Sequence, residues 1–141
     1  MNKKTRLFAS LGLTAFASAG TSVIWNGLPF IAKQQYGFSE AKNLALYLLI
    51  GLVYVIGALS AGKWTRAVEK HCSPRKILAI LLLMQTLVCM TPLFFRGEWV
   101  LWAAGVISGA CSAWMWPIVE SFLVAGRHGK EMRRVIGWWN I

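Results

Sequence analysis

The sequence predicts an all-α integral membrane protein with four transmembrane helices and the start of a fifth. Three observations carry this. Residues 7–32, 43–62, 77–95 and 99–119 each run without a charged residue. Each run is close to the ~20 residues a helix needs to cross a hydrocarbon core about 30 Å thick. Of the 141 residues, 57% are hydrophobic and only 14% charged, and no soluble fold explains four such runs in so short a chain. Finally, the cations are segregated. Lys3, Lys4 and Arg6 precede the first run, and Lys63, Arg66, Lys70, Arg75 and Lys76 lie between the second and third. Arg127, Lys130, Arg133 and Arg134 follow the fourth, whereas only Lys33, Lys42 and Arg96 fall in the other two loops. The positive-inside rule reads this alternation as a cytoplasmic N-terminus and four crossings of a cell (inner or plasma) membrane.

The net charge of +10 is accounted for by this topology signal, with anionic lipid of the bilayer as counter-charge. It is not spread as a nucleic-acid-binding face would require, so no nucleic acid is expected as a partner. Cys89 and Cys111 sit inside apolar runs and Cys72 in a predicted cytoplasmic loop, so no disulfide framework is expected. His71 and Cys72 alone make no metal site. The start, Lys3-Lys4-Thr5-Arg6 followed by apolar residues and Ala17-Ser18-Ala19, resembles a secretory signal. However, the uncharged run continues through Trp25 and Phe30, which predicts a spanning helix.

The first helix is expected over 7–31. Thr14, Ser18, Thr21 and Trp25 share one face, with Ser22 and Asn26 beside it. Lipid offers such groups no partners, so this face should meet other helices or a wet cavity. Ser39 is the expected N-cap of the second helix, over 43–62. That helix carries Tyr47, Gly51, Tyr54, Ala58 and Ala61 on one side, with Gly57 and Gly62 as further points of close approach. The third, over 77–95, has Gln85 and Thr86 as its strongly polar interior residues and should face lipid. The fourth, over 99–125, places Gly105, Gly109, Ala113, Trp116 and Glu120 on one side. Gly105 and Gly109 form a GxxxG that lets backbones approach, and Pro117 removes a donor and should loosen the helix. Glu120 is the single acid on these spans. A structural ion pair with Arg133 or Arg134, or the role of a helix-end acid, is expected for it, with a gating contact and then proton coupling or solute binding as alternatives. Residues 135–141 read as the first turns of a fifth helix, which predicts that the chain is an incomplete N-terminal portion of a longer protein.

This layout resembles the N-terminal bundle of a major facilitator superfamily transporter. The loop from Gly62-Lys63-Trp64-Thr65-Arg66 through Ser73-Pro74-Arg75-Lys76-Ile77-Leu78 is similar to the family's motif of a Gly, an Asp-Arg pair and a basic cluster. It departs from that motif in having Arg66 where the Asp stands. The stretches Gly105-x-x-x-Gly109, Pro117-x-x-Glu120 and Glu131-Met132-Arg133-Arg134-x-x-Gly137 resemble the family's fourth helix, the following loop and the fifth helix.

The resemblance implies secondary transport of a small solute by alternating access, without a cofactor and without enzymatic chemistry. A C-terminal bundle would be the partner. It also implies a substrate path lined by Ser18, Ser22, Trp25, Asn26, Ala113, Trp116 and Glu120. Gly62, Arg66, Arg75, Lys76, Arg133 and Arg134 would form a cytoplasmic gate and fix topology, and Gly51, Gly57, Gly105, Gly109 and Pro117 would serve helix packing. Two other readings compete: a small dimeric four-helix multidrug transporter, and a non-transporting four-helix membrane subunit or anchor.

Overall fold

The computed structural model describes residues 7–139. Lys3, Lys4 and Arg6, and Asn140 and Ile141 of the expected fifth helix, lie outside the described residues, as do the side chains of Leu7 and Trp139. Five helices follow one another: α1 (Leu7–Tyr36), α2 (Glu40–Glu69), α3 (Pro74–Phe94), α4 (Glu98–Val124) and α5 (Gly129–Trp139). The first four are long and apolar enough to cross a membrane, and no strand occurs among the described residues.

Short turns alternate the helix directions. Ser10 near the start of α1 therefore meets Phe122 near the end of α4, and Tyr36 at the end of α1 meets Phe95 after α3. One end of the bundle collects Lys63, Arg66, Lys70, Arg75, Lys76 and Arg127, and is called the basic end below. At the opposite end two of the three cations are paired. Lys33 lies 3.4 Å from Glu40, and Lys42 pairs with Glu98 while sitting 4.5 Å over the Phe38 ring.

The helices outrun the expected spans. α1 continues to Tyr36, α2 runs seven residues past Gly62, and α5 starts six residues before 135. Charge marks where the hydrocarbon stops, whereas caps mark where the helix stops. Gly37 at φ +64° turns the chain so that Phe38 N–H reaches back to Ala32 O at 3.0 Å and closes the end of α1. The Ser39 hydroxyl accepts from Lys42 N–H at 3.3 Å to open α2. Ser73 does the same for Lys76 at 3.5 Å, with Pro74 in the first turn of α3, where its missing donor is harmless.

α4 is the hub. Some 56% of its apolar window is buried, against 22% or 28% for the other three spans, and it packs on α2, α3 and α1. Small residues make this possible. Gly57 of α2 faces Ala113, and a Cβ built there would lie 2.7 Å from the Ala113 Cβ. A Cβ at Gly109 would lie 2.9 Å from Ile50 O, and one at Gly105 would lie 3.0 Å from the Ile50 side chain. The packing stripe of α2 is thus Leu46, Ile50, Val53, Gly57 and Ala61, one residue round from the expected Tyr47–Gly51–Ala58 side. Gly51 and Gly62 have open space where a Cβ would be, so Gly51 is not a packing glycine here.

α3 turns Ile80, Leu83, Leu87, Met90 and Leu93 outward and buries Ile77, Leu78 and Leu81 on α4. Its one deep polar residue is spent inward, with Gln85 Nε2 donating to Ser112 Oγ at 3.0 Å, both groups buried. Replacing Ser112 with Ala should strand this amide and cost about 1–3 kcal/mol, while adding Gln85→Leu should restore most of the loss. A double-mutant cycle on thermal unfolding checks this. A double variant no more stable than Ser112→Ala alone would refute it.

Candidate functional site

On α1 the hydroxyls nearest α4 serve the bundle. Ser10 Oγ donates to Phe122 O at 3.2 Å, and buried Thr14 donates to Ser10 O at 2.9 Å. Thr21 donates to Ala17 O at 2.8 Å. Farther round the helix the side chains open outward: Ser18 and Trp25 are half-buried, and Ser22 and Asn26 exposed. Asn26 Nδ2 donates to Ser22 O at 2.8 Å, which leaves the Asn26 carbonyl oxygen facing out.

Trp25 meets Tyr54 edge-on, with ring centroids 5.8 Å apart at 80°. Tyr54 sits at the midpoint of α2 and therefore at mid-membrane depth. The indole N–H of Trp25 is buried and finds no acceptor among the described residues. A buried donor left unpaired is expensive.

On α4, Trp116 is half-buried, and Pro117 and Glu120 are exposed. Trp116 and Glu120 stand four residues apart, and so side by side. Glu120 lies one turn from the basic end of α4. Trp25 and Tyr54 thus meet between α1 and α2, and Glu120 is exposed on α4 nearer the basic end. α4 runs unbroken through Pro117.

Three expectations need correction. Ala113 is 1% exposed and pressed against Gly57. It belongs to the α2–α4 contact and lines no path, because the GxxxG side of α4 is the side that α2 occupies. Glu120 forms no ion pair with Arg133 or Arg134. The turn through Gly126 (φ +70°) and Gly129 (φ +57°) starts α5 early, and Arg134 lies 4.8 Å over the Trp138 ring instead. Gly62 approaches no other helix. Arg66, Arg75 and Lys76 are exposed at the basic end, as is Arg133.

Two residues were missed. Tyr54 was assigned to a packing side of α2, although a Tyr at the centre of an otherwise aliphatic span was a usable signal. Arg127 gave no signal, being one of four cations after α4. It is 2% exposed, its guanidinium donates to Leu123 O, and its Nε lies 3.9 Å from Glu131 Oε1. A cation at this place satisfies the open carbonyls and the negative pole of α4.

The family model described as Major Facilitator Superfamily matches residues 7–141. The chain belongs to the major facilitator superfamily. It matches no curated protein and no solved structure. Members of the superfamily are transporters, and this member is a multi-pass membrane protein by its four spanning helices.

Proposed function

We propose that this superfamily member carries out secondary transport of a small solute by alternating access, with the face bearing Ser18, Ser22, Trp25, Asn26, Tyr54, Trp116 and Glu120 turned to the solute. The observation that carries the proposal is the buried, unpaired indole N–H of Trp25 beside Tyr54 at mid-membrane depth. A site there is reachable from either side if one bundle rocks against another. The exposed polar groups on the same face need cover from lipid. A second helical bundle supplies that cover, and this chain is then the N-terminal portion of the transporter. The surplus of cations at one end orients that end, and the N-terminus, to the cytoplasm of a cell membrane. Glu120, one turn from that end, stands at the mouth of the path.

The test uses the product of the complete reading frame in proteoliposomes, with exchange of a panel of labelled sugars, amino acids, carboxylates and amines. At least one class should exchange. Trp25→Phe keeps the ring and removes the donor, so it should raise KM roughly tenfold, the worth of one hydrogen bond of about 1–1.5 kcal/mol. Glu120→Gln should lower the exchange rate at saturating solute. The proposal fails if no class exchanges, or if Trp25→Phe matches the parent.

A further inference from the structure

The depth of Tyr54 in the bundle is fixed by the length of α2, but the direction in which its ring points depends on how α2 is rotated about its own axis. Farther from the basic end, Ile50 seats over Gly105 and Gly109 of α4. At Gly57 the contact changes character. A Cβ there would stand 2.7 Å from the Ala113 Cβ, so the glycine lets the two helices close up but offers no side chain to stop α2 rolling on α4. Successive residues of a helix are about 100° apart, so Tyr54 and Ser60 lie about 60° to either side of Gly57. One flank of α2 therefore carries Tyr54 to Trp25 of α1, and the other carries Ser60 to Trp114 of α4.

The Ser60 flank holds the more directional contacts. Ser60 Oγ donates to Gly57 O at 2.8 Å, which spends its proton and fixes the hydroxyl. Its lone pairs then accept from Trp114 Nε1 at 3.4 Å. One turn on, the Trp64 ring stacks on the Trp114 ring, with centroids 4.7 Å apart and planes 8° from parallel. Trp114 is thus gripped by two residues of α2, one at its N–H and one at its face. Contacts of two kinds on one indole fix a rotation as well as a distance.

The Tyr54 flank is held by an edge-on ring contact, with centroids 5.8 Å apart at 80°. Such a pair is sensitive to angle. Tyr54 and Ser60 ride on one helix, roughly 9 Å apart along its axis, so a roll that frees Ser60 also turns Tyr54 relative to Trp25.

We propose that Trp114 is a positioning residue for the solute site: with Ser60 and Trp64 it fixes the rotation of α2, and so holds Tyr54 against Trp25. This rests on the reading of Trp25 as part of a solute site. Trp114 acts on that site from the opposite flank of α2. Every residue involved lies on α1, α2 or α4, so the arrangement is internal to the helices described.

The experiment places a fluorinated tryptophan at Trp25 in the product of the complete reading frame, by nonsense suppression, and reads its fluorine NMR shift without solute. Tyr54→Leu gives the shift of an indole that has lost its neighbour. Trp114→Phe keeps a ring for Trp64 and removes the donor, whereas Ser60→Ala removes the acceptor. Both should move the shift toward the Tyr54→Leu value. Ser112→Ala, which loosens α4 on its α3 side, should not. In the exchange assay Trp114→Phe should raise KM roughly fivefold, the equivalent of about 1 kcal/mol. It should add nothing once Tyr54 is replaced by leucine. A shift unmoved by both Trp114→Phe and Ser60→Ala overturns the proposal. An equal move in Ser112→Ala means general loosening and overturns it too, as does a KM penalty that persists in full beside Tyr54→Leu. If no solute exchanges, the transport reading fails alone, because the fluorine shift still decides whether Trp114 places Tyr54.

Discussion

Gly109→Leu should drive α2 off α4 and lower the thermal unfolding midpoint far more than the same change at Gly51. A Cβ at Gly109 would stand 2.9 Å from the carbonyl oxygen of Ile50. That neighbour is backbone, so it cannot swing aside as a side chain could. Inserting methylenes into a packed contact costs about 1–3 kcal/mol, and occasionally more. Here the whole of a leucine side chain must be accommodated by moving two helices apart. Gly57→Leu should behave alike, because its Cβ would stand 2.7 Å from that of Ala113. Gly51→Leu enters open space and should leave the midpoint unchanged or raise it, since Gly is worse than Ala in a helix by about 1 kcal/mol. Circular dichroism melts of the three variants in one detergent decide the matter. Equal midpoints for Gly109→Leu and Gly51→Leu would reject the α2–α4 contact as described.

The second large effect is expected at Arg127. Methionine there keeps the apolar bulk and removes the guanidinium, so Leu123 O loses its donor and Glu131 its cation. A hydrogen bond from a charged group is worth about 1.5–3 kcal/mol, and most of that should come from the docking of α5. Val135 is the residue of α5 most buried against the bundle, and it should be freed. Arg127→Met should therefore raise hydrogen exchange across α5 and expose the 125–129 turn to protease, with α1 to α4 unaffected. Arg127→Lys keeps the charge but loses the planar fork, and should fall between the two. A methionine variant with parental exchange in α5 would show that α5 is held by other contacts.

Helix number and position were legible because hydrocarbon imposes a length on every uncharged run. Helix ends were not, because they are set by hydrogen bonds such as that of Phe38 to Ala32 O, which hydropathy does not see. Periodicity showed which residues share a face but not which neighbour that face meets. Tyr47, Gly51 and Ala58 therefore looked as suitable for packing as Leu46, Ile50 and Gly57. The difference lies in Ile50 fitting over Gly105 and Gly109, a fact about two helices at once. Ala113 was misassigned for the same reason. The polar face of α1 was readable because lipid forbids it, and Trp25 and Asn26 stood out on that ground. The partner of Trp25 was not readable, since Tyr54 is brought to it only by the crossing of α1 and α2.

The pairing of Lys33 and Lys42 with glutamates, set against the cation surplus of the basic end, bears on how the protein is held once a membrane is energised. Moving one elementary charge against a potential of 100 mV costs about 2.3 kcal/mol. A bundle inserted upside down would carry several net positive charges to the outer side of an inside-negative membrane and bring almost none back, a penalty on the order of 10 kcal/mol. In the proposed orientation, with the basic end cytoplasmic, voltage would act as a ratchet. It would leave the nearly neutral end free to cross during insertion and keep the charged end from following it.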